Sequence, residues 1–523
     1  MIKKLLTICL FIVCLQNFKA QNEFVTIWKP NLVTPLLPSI PQYTPAAENQ
    51  IWFPGIGENY TISWEEVGYL QHNGTMSNVT STMNVLIDFG TSLNPVSADA
   101  TYRVKVSNGS GFFKQIQFSQ DITSSQANFD VVSMKALGSS NKIMEIEQWG
   151  NIQWQSMKSA FSQCGLLEIT ATDTPDLSKV TDASLMFYNT FKLNNNPSMA
   201  DWNTYNIKNF KYMFGRTSPL AFLLTAEVFD APIGSWNMSS AEDISYMFYK
   251  RKVFNQNLNN WNTSNVTNMA YTFAEAALFN QPLDNWNTSK VTNMAFMFHF
   301  IPNFNQPLNT WDTSKVTDMG HMFHVASNFN QPLDMWDVSK VTEMNTMFSD
   351  ATSFNHTLKD WDLNVLISAL TMIRNTGLDC GNYSSTLYGW ANNPTTAHNI
   401  NLGLNNTLTY SIDAGTVTAR NTLLNAKGWT FSGDNPVECD RLSTAEYHLH
   451  DSPSIYPNPA SDVIYLKNIS NAKTYIITDM SGRIVSKDAL DRNVINIELL
   501  TTGNYILQII SKDKIHTFKF IKK

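Results

Sequence analysis

Trp286-Asn-Thr-Ser-Lys-Val-Thr-Asn-Met-Ala-Phe-Met-Phe298, a short polar link, then Phe304-Asn-Gln-Pro-Leu308 and two residues before Trp311: this phrase is repeated through the middle of the chain. Trp236, Trp261, Trp286, Trp311, Trp336 and Trp361 fall 25 residues apart with no insertion. A fixed period in this range marks a solenoid, because one coil cannot bury its own apolar face and stacks on its neighbours instead. Within a unit, Val291, Met294 and Phe298 stand at i, i+3 and i+7 with Met297 beside them, which predicts a short helix capped by Ser289. Val266, Met269, Phe273 and Val316, Met319, Phe323 repeat that stripe. Residues 279–283, 304–308 and 329–333 read as short extended pieces for a parallel ladder, kept short by Pro282, Pro307 and Pro332.

The motifs Trp-Asn-Thr-Ser-Lys-Val-Thr-Asn-Met and Phe-Asn-Gln-Pro-Leu resemble the repeats of BspA-like bacterial surface proteins, divergent relatives of leucine-rich repeats, over roughly residues 143–429. The resemblance implies an exported, repetitive surface protein of a kind linked to adhesion. It carries over no catalytic site.

A length of 523 residues predicts about three or four domains. Only 15% of residues are charged and the net charge is -7, so the chain lacks the basic footprint of a nucleic-acid binder. Residues 1–20 read as a signal peptide, with Lys3 and Lys4 before an apolar run and Ala20 at the cleavage position. Cys14 raises a lipoprotein alternative, which Val13 disfavours. No later stretch reaches the roughly 18 apolar residues of a membrane helix.

Residues 21–141 alternate apolar and polar side chains in several short runs, with Asn73-Gly74 and Asn108-Gly109 as turn signals, and predict a β-sandwich placed like the immunoglobulin-like modules of related surface proteins. The repeat array with its caps spans 142–440. Its first copies are irregular: Trp149, Trp154, Met157, Ala160 and Phe161 predict an amphipathic opening helix. The 34 residues from Trp202 to Trp236 imply a nine-residue insertion, placed at 216–224. Past Trp361 the period fades into a closing cap with a helix over 417–426 ended by Gly428. In an oxidising compartment Cys380 and Cys439 flank this cap and form the expected disulfide, with Cys164 buried.

A linker over 441–451 leads to residues 452–523. Here Tyr456-Pro-Asn-Pro-Ala-Ser-Asp, alternating strands, Ser481-Gly-Arg and Gly503-Asn-Tyr-Ile-Leu-Gln-Ile look like the C-terminal sorting domain of type IX secretion substrates. Its motif residues are Pro457, Asn458, Pro459, Asp462, Gly482, Gly503 and Tyr505. The resemblance implies recognition of this β-sandwich by the type IX translocon, removal of the domain, and release or attachment at the cell surface.

Few constellations invite chemistry. His299 and His324 share a repeat position and His321 lies one turn away, but Tyr249, Ala274 and Ser349 fill the equivalent sites, so a solvated histidine row is the preferred reading over a metal. Asp284 and Asp334 share a register two coils apart, near the separation an inverting glycosidase uses, yet Asn309 stands between them. Asp312, Asp337 and Asp362 follow tryptophans and read as turn formers. Lys290, Lys315 and Lys340 line up as a solvated basic row, partly neutralised by Asp318 and Glu343.

The expected architecture is multidomain: a leucine-rich-repeat-like α/β solenoid flanked by N-terminal and C-terminal β-sandwich domains. The expected function is binding or adhesion to an extracellular protein or polysaccharide, without catalysis, cofactor or metal. The competing readings are a glycan-active enzyme or accessory protein and a structural spacer of the cell surface.

Overall fold

The computed structural model describes residues 22–32, 46–121, 134–217, 227–403, 408–439, 454–456, 460, 462–467, 469, 472–479, 482–490, 494–511 and 515–522. The expected signal peptide, the linker and Pro457, Asn458 and Pro459 lie outside them, as do residues 218–226, which take in 218–224 of the expected insertion. The chain forms two compact units, Met1–Cys439 and Asp440–Lys523.

In the first unit, period-two alternation builds a sheet. Tyr102, Val104 and Val106 of the Tyr102–Ser107 strand are buried, while Arg103 and Lys105 on the other face pair with Glu65 and Glu147. The seven-stranded sheet runs Glu168–Ile169, Ile143–Gln148, Phe24–Trp28, Tyr102–Ser107, Gly55–Glu66, Tyr69–Ser81, with Phe112–Ile116 also pairing to Gly55–Glu66. Asn73-Gly74 is no turn: Tyr69–Ser81 is one strand, and the hairpin bends at Gly68, where φ is +87°. Gly74 faces Trp64, whose ring would lie 2.7 Å from any Cβ there, so the glycine makes room for the indole. Gly109 does turn the chain, but between two strands that both pair with Gly55–Glu66 and not with each other.

This sheet is not a self-contained sandwich. Ile143–Gln148 pairs in parallel with Glu168–Ile169, and Phe24 packs against Trp154 with ring centroids 5.1 Å apart, so sheet and first coils share one core. Trp149, Trp154, Met157, Ala160 and Phe161 are all buried there, carried by turns in place of the expected helix.

The repeats overturn the helical α/β solenoid. Among the described residues α-helix is confined to Cys380–Asn392 and Ala414–Asn421, both after the regular repeats. Val291, Met294, Met297 and Phe298 are fully buried, as their spacing demands, but the backbone between them alternates. The amides of Met294, Phe296, Phe298 and Phe300 donate to Asp318, Gly320, Met322 and His324 of the next coil at 2.8–3.0 Å, while Met297 and His299 close turns onto Met294 and Phe296. Phe296 and Phe300 have φ of +58° and +52°, a left-handed conformation that ends any right-handed helix. The 3-and-4 spacing of a helix is thus produced by consecutive turns whose alternate amides bond the neighbouring coil.

The expected strand ladder at Phe-Asn-Gln is replaced by an asparagine ladder. The amides of Asn280, Asn305, Asn330 and Asn355 donate to the side-chain oxygens of Asn255, Asn280, Asn305 and Asn330 at 2.9–3.0 Å. Each repeat tryptophan likewise bonds backward: Trp286, Trp311, Trp336 and Trp361 donate Nε1–H to the carbonyls of Leu258, Leu283, Leu308 and Leu333 at 2.9–3.1 Å. The rings of Phe254, Phe279, Phe304, Phe329 and Phe354 stack with centroids 6.1–6.2 Å apart. Backbone pairing of the strand kind is reduced to one parallel bridge per coil, through Asp243, Asn268, Asn293, Asp318, Glu343 and Ser368.

The column closes on the two helices. Trp390 and Trp429 repeat the backward indole bond, to Leu358 and Ala397. Ala414–Asn421 runs into a single π turn, Thr422–Ala426, and Gly428 follows at φ +68°. A disulfide joins Cys380 to Cys439, and Cys164 is buried and free.

The second unit holds a three-stranded sheet (Ser454–Tyr456, Val463–Lys467, Val494–Asn496) and a four-stranded sheet ordered Ile484–Ala489, Ala472–Asp479, Gly503–Ser511, Ile515–Lys522. Its own core includes Ile464, Leu466, Ile477, Leu507, Ile509 and Phe520.

Candidate ligand-binding face and histidine cluster

Counting each tryptophan as position 1, position 11 is the left-handed residue of the turn: Tyr212 in the irregular coil before Trp236, then Tyr246, Tyr271, Phe296, His321, Thr346 and Thr371, with φ of +56° to +58° throughout. A left-handed residue throws its side chain out of the core, so these rings form a ladder of their own. Tyr212, Tyr246, Tyr271, Phe296 and His321 stack with centroids 4.2–4.3 Å apart. Their π-faces are spent on one another, leaving edges to the surroundings.

At the end of that ladder the structure brings His299, His321 and His324 together. Nδ1 of His299 lies 3.1 Å from Nδ1 of His324, and one nitrogen of each of the three rings lies within 4.8 Å of the others. The imidazoles are half-buried, so the expectation of a solvated row is corrected. Phe296 covers the face of His321, and Phe300 stands edge-on to His299 and His324 at 4.4 and 5.2 Å. Burial, with the neighbouring imidazoles adding to it, pulls His299 down to about 3, and burial with His324 pulls His321 down to about 4. Both rings are neutral at physiological pH. Nδ1 of His321 is buried without a hydrogen-bond partner. Asp350 stands 3.8 Å from Nε2 of His324 and is itself held by Arg374, Asn375 and Ser349.

The other sequence candidates resolve into frame. Asp284 and Asp334 each accept from an asparagine of a neighbouring coil, Asn259 at 2.8 Å and Asn309 at 2.9 Å. Asp312 and Asp337 accept from the amides of Ser314 and Ser339 two residues on, and Asp362 accepts from Asn393 and Thr395. Lys290 donates to Asn265. Asp318 and Glu343 occupy adjacent coils; burial raises both carboxyls, with the charge of Asp318 adding to the rise at Glu343. In the second unit Gly482 turns the chain at φ +86°, Gly503 begins a strand, and Tyr505 donates its hydroxyl to the Thr501 carbonyl at 2.7 Å. Asp462 is exposed, and its carbonyl accepts from the Ile497 amide.

One constellation escaped the sequence reading. Glu227 is nearly buried, 2.8 Å from Arg216 and 3.6 Å from the fully buried Arg251, so the two ends of the insertion are tied through it. Arg251 also donates to the carbonyls of Phe214 and Thr190, and the guanidinium planes lie over Phe191 and Phe229. Burial lowers Arg251 to about 9, which leaves it charged. The signal was present: position 16 holds Arg251 where later coils have Ala276, Ile301, Ala326 and Ala351.

Fold and site together define a stacked-coil repeat protein joined to a second, all-β unit. Residues 155–284, 219–309 and 273–385 match the family model described as Mycoplasma protein of unknown function, DUF285. Residues 454–523 match the secretion system C-terminal sorting domain, which marks the chain for type IX export to the cell surface or the medium and for handling by that machinery. No curated protein matches the chain. Among the described residues no helix is long and apolar enough to cross a membrane.

Proposed function

We propose that the coil column is a binding module, an adhesin-like scaffold for an extracellular protein or polysaccharide, and that it acts without catalysis. The observation that carries this reading is the separation of frame from face. The ladders of asparagine, tryptophan and phenylalanine consume the repeated residues, whereas position 15 holds Lys250, Glu275, Phe300, Val325 and Asp350 in successive coils, none of them buried, with no change in the inter-coil bonds that their amides make. A frame that tolerates any side chain at its rim allows the rim to be shaped to a ligand. Export by a sorting domain brings that rim to extracellular ligands, and the likeness of the repeats to BspA-like surface proteins supports the same role.

The test is binding of the full secreted chain to arrays of extracellular proteins and polysaccharides at physiological salt. Saturable binding that falls at least tenfold when Glu275, Phe300 and Val325 are replaced by alanine is expected. Absence of any saturable ligand, together with self-association of the folded chain, overturns the reading in favour of a surface spacer.

A further inference from the structure

We propose that His299, His321 and His324 form a binding site for a divalent first-row transition-metal ion of the imidazole-preferring kind, Zn2+ or Cu2+. The cluster is the sole group of three potential metal ligands so disposed among the described residues. Two nitrogens bound to one tetrahedral ion at about 2.0–2.1 Å sit roughly 3.3 Å apart. The Nδ1 atoms of His299 and His324 already stand 3.1 Å apart, so an ion enters by parting them a few tenths of an ångström. The third ring brings a buried Nδ1 that no protein group satisfies, which is the atom a ligand would complete.

The surroundings suit a metal in three further ways. The backbone of each histidine is pinned: His299 and His324 donate to Phe296 and His321 within their own turns, and His321 donates to Asn345 of the next coil at 2.7 Å. Ring orientation is limited by Phe296 and Phe300, so little freedom is lost on binding. With Nδ1 of His324 turned to the ion, its Nε2 side faces the anchored carboxylate of Asp350, the second-layer arrangement that orients metal-bound imidazoles. Each nearby cation has a carboxylate beside it, Lys250 having Glu275 at 3.5 Å and Arg374 having Asp350 at 3.0 Å. Three protein nitrogens leave at least one coordination position for water or for a donor atom of a bound partner. Thiolate-preferring ions find no sulfur ligand in the cluster, and ions that prefer all-oxygen shells find too few oxygens.

The test uses the full chain, stripped with a chelator and dialysed against Zn2+ at pH 7.5, with bound metal measured by atomic emission. One equivalent is expected, with affinity lowered at least tenfold in His321→Gln and in His299→Gln/His324→Gln, and unchanged in His356→Gln. Loading with Cu2+ and recording its electron paramagnetic resonance gives a readout that does not depend on stability: coupling to three imidazole nitrogens is expected. No bound equivalent, binding that survives all three substitutions in a folded chain, or coupling to fewer than three nitrogens overturns the assignment.

Discussion

Among individual residues, the clearest energetic commitment is Glu227. It stands between two guanidinium groups, one of them fully buried, and replacing it with the isosteric amide leaves Arg216 and Arg251 facing each other without an opposite charge. Breaking a buried ion pair in this way costs about 3–5 kcal/mol. Glu227→Gln is therefore expected to lower the urea unfolding free energy of the first unit by an amount in that range, and an unchanged midpoint would show that the insertion is held by other contacts. Glu66 makes a different, pH-dependent contribution. Burial alone would raise its carboxyl, but hydrogen bonds from His72 and from the amides of Leu93 and Asn94 outweigh it and hold the pKa below its ordinary value. A carboxyl depressed on folding stabilises fully above its unfolded pKa of about 4.3, and the stabilisation is lost as pH falls through the lower folded value. Denaturation series in acid should show a loss of stability below about pH 4.3 that Glu66→Gln lacks, the variant being destabilised by about 1–3 kcal/mol at neutral pH.

Single coils show why the sequence was readable in one respect and misleading in another. The period and the inward residues were legible: Val291, Met294, Met297, Phe298, Phe304 and Leu308 are all buried. The helix was not, because apolar spacing reports which residues face inward and not the sign of φ between them. Phe296 and His321 adopt left-handed conformations, where isolated L-residues carry a cost of roughly 1–2 kcal/mol, and bonds to the next coil offset it. No local propensity encodes a bond to a residue 24 positions away, such as Met294 to Asp318. The histidine cluster was half legible for the same reason. Its shared register was visible at position 14, while the convergence of His321 depends on the turn that the helical reading had replaced. Asparagine at position 20 was visible only as a recurrent letter, and the structure gives it a testable role. Asn305 accepts the amide of Asn330 and the side chain of Gln331, each at 2.9 Å, so Asn305→Ala should cost about 1–3 kcal/mol. Asn305→Asp keeps the acceptor, as Asp230 does for the Asn255 amide, and should cost measurably less in the same unfolding assay. Equal losses in the two variants would refute the ladder's role. Excision also follows from the stacking. Removing residues 262–286 joins Trp261 to Asn287 in register and should leave cooperative unfolding, whereas removing 262–273 leaves a coil too short to close and should abolish it.

For the whole molecule, the decisive feature is that the two units have separate cores. No residue of the cluster around Ile464 and Phe520 belongs to the core shared by the N-terminal sheet and the coils. The first unit is, moreover, closed on itself: its last strand, Asn435–Val437, pairs with Thr409–Ser411, and the Cys380–Cys439 disulfide fastens the end of the chain segment to the cap helix. Such a closure restricts the unfolded chain over a separation of 59 residues and is worth about 4 kcal/mol in the loop-entropy account. Folding of the column and export of the chain should therefore be separable. A chain ending at residue 440 is expected to keep the thermal transition of the first unit within about 2 °C, a shift of about 2 kcal/mol for a unit of this length, yet to fail to reach the cell surface or the medium in a host with a working type IX system. Immunoblots of surface, medium and periplasmic fractions would read the second part, and calorimetry the first. Retention of surface display by the truncated chain would sink the view that the tail alone directs export. Loss of the column's transition would show instead that the sorting unit also supports the fold.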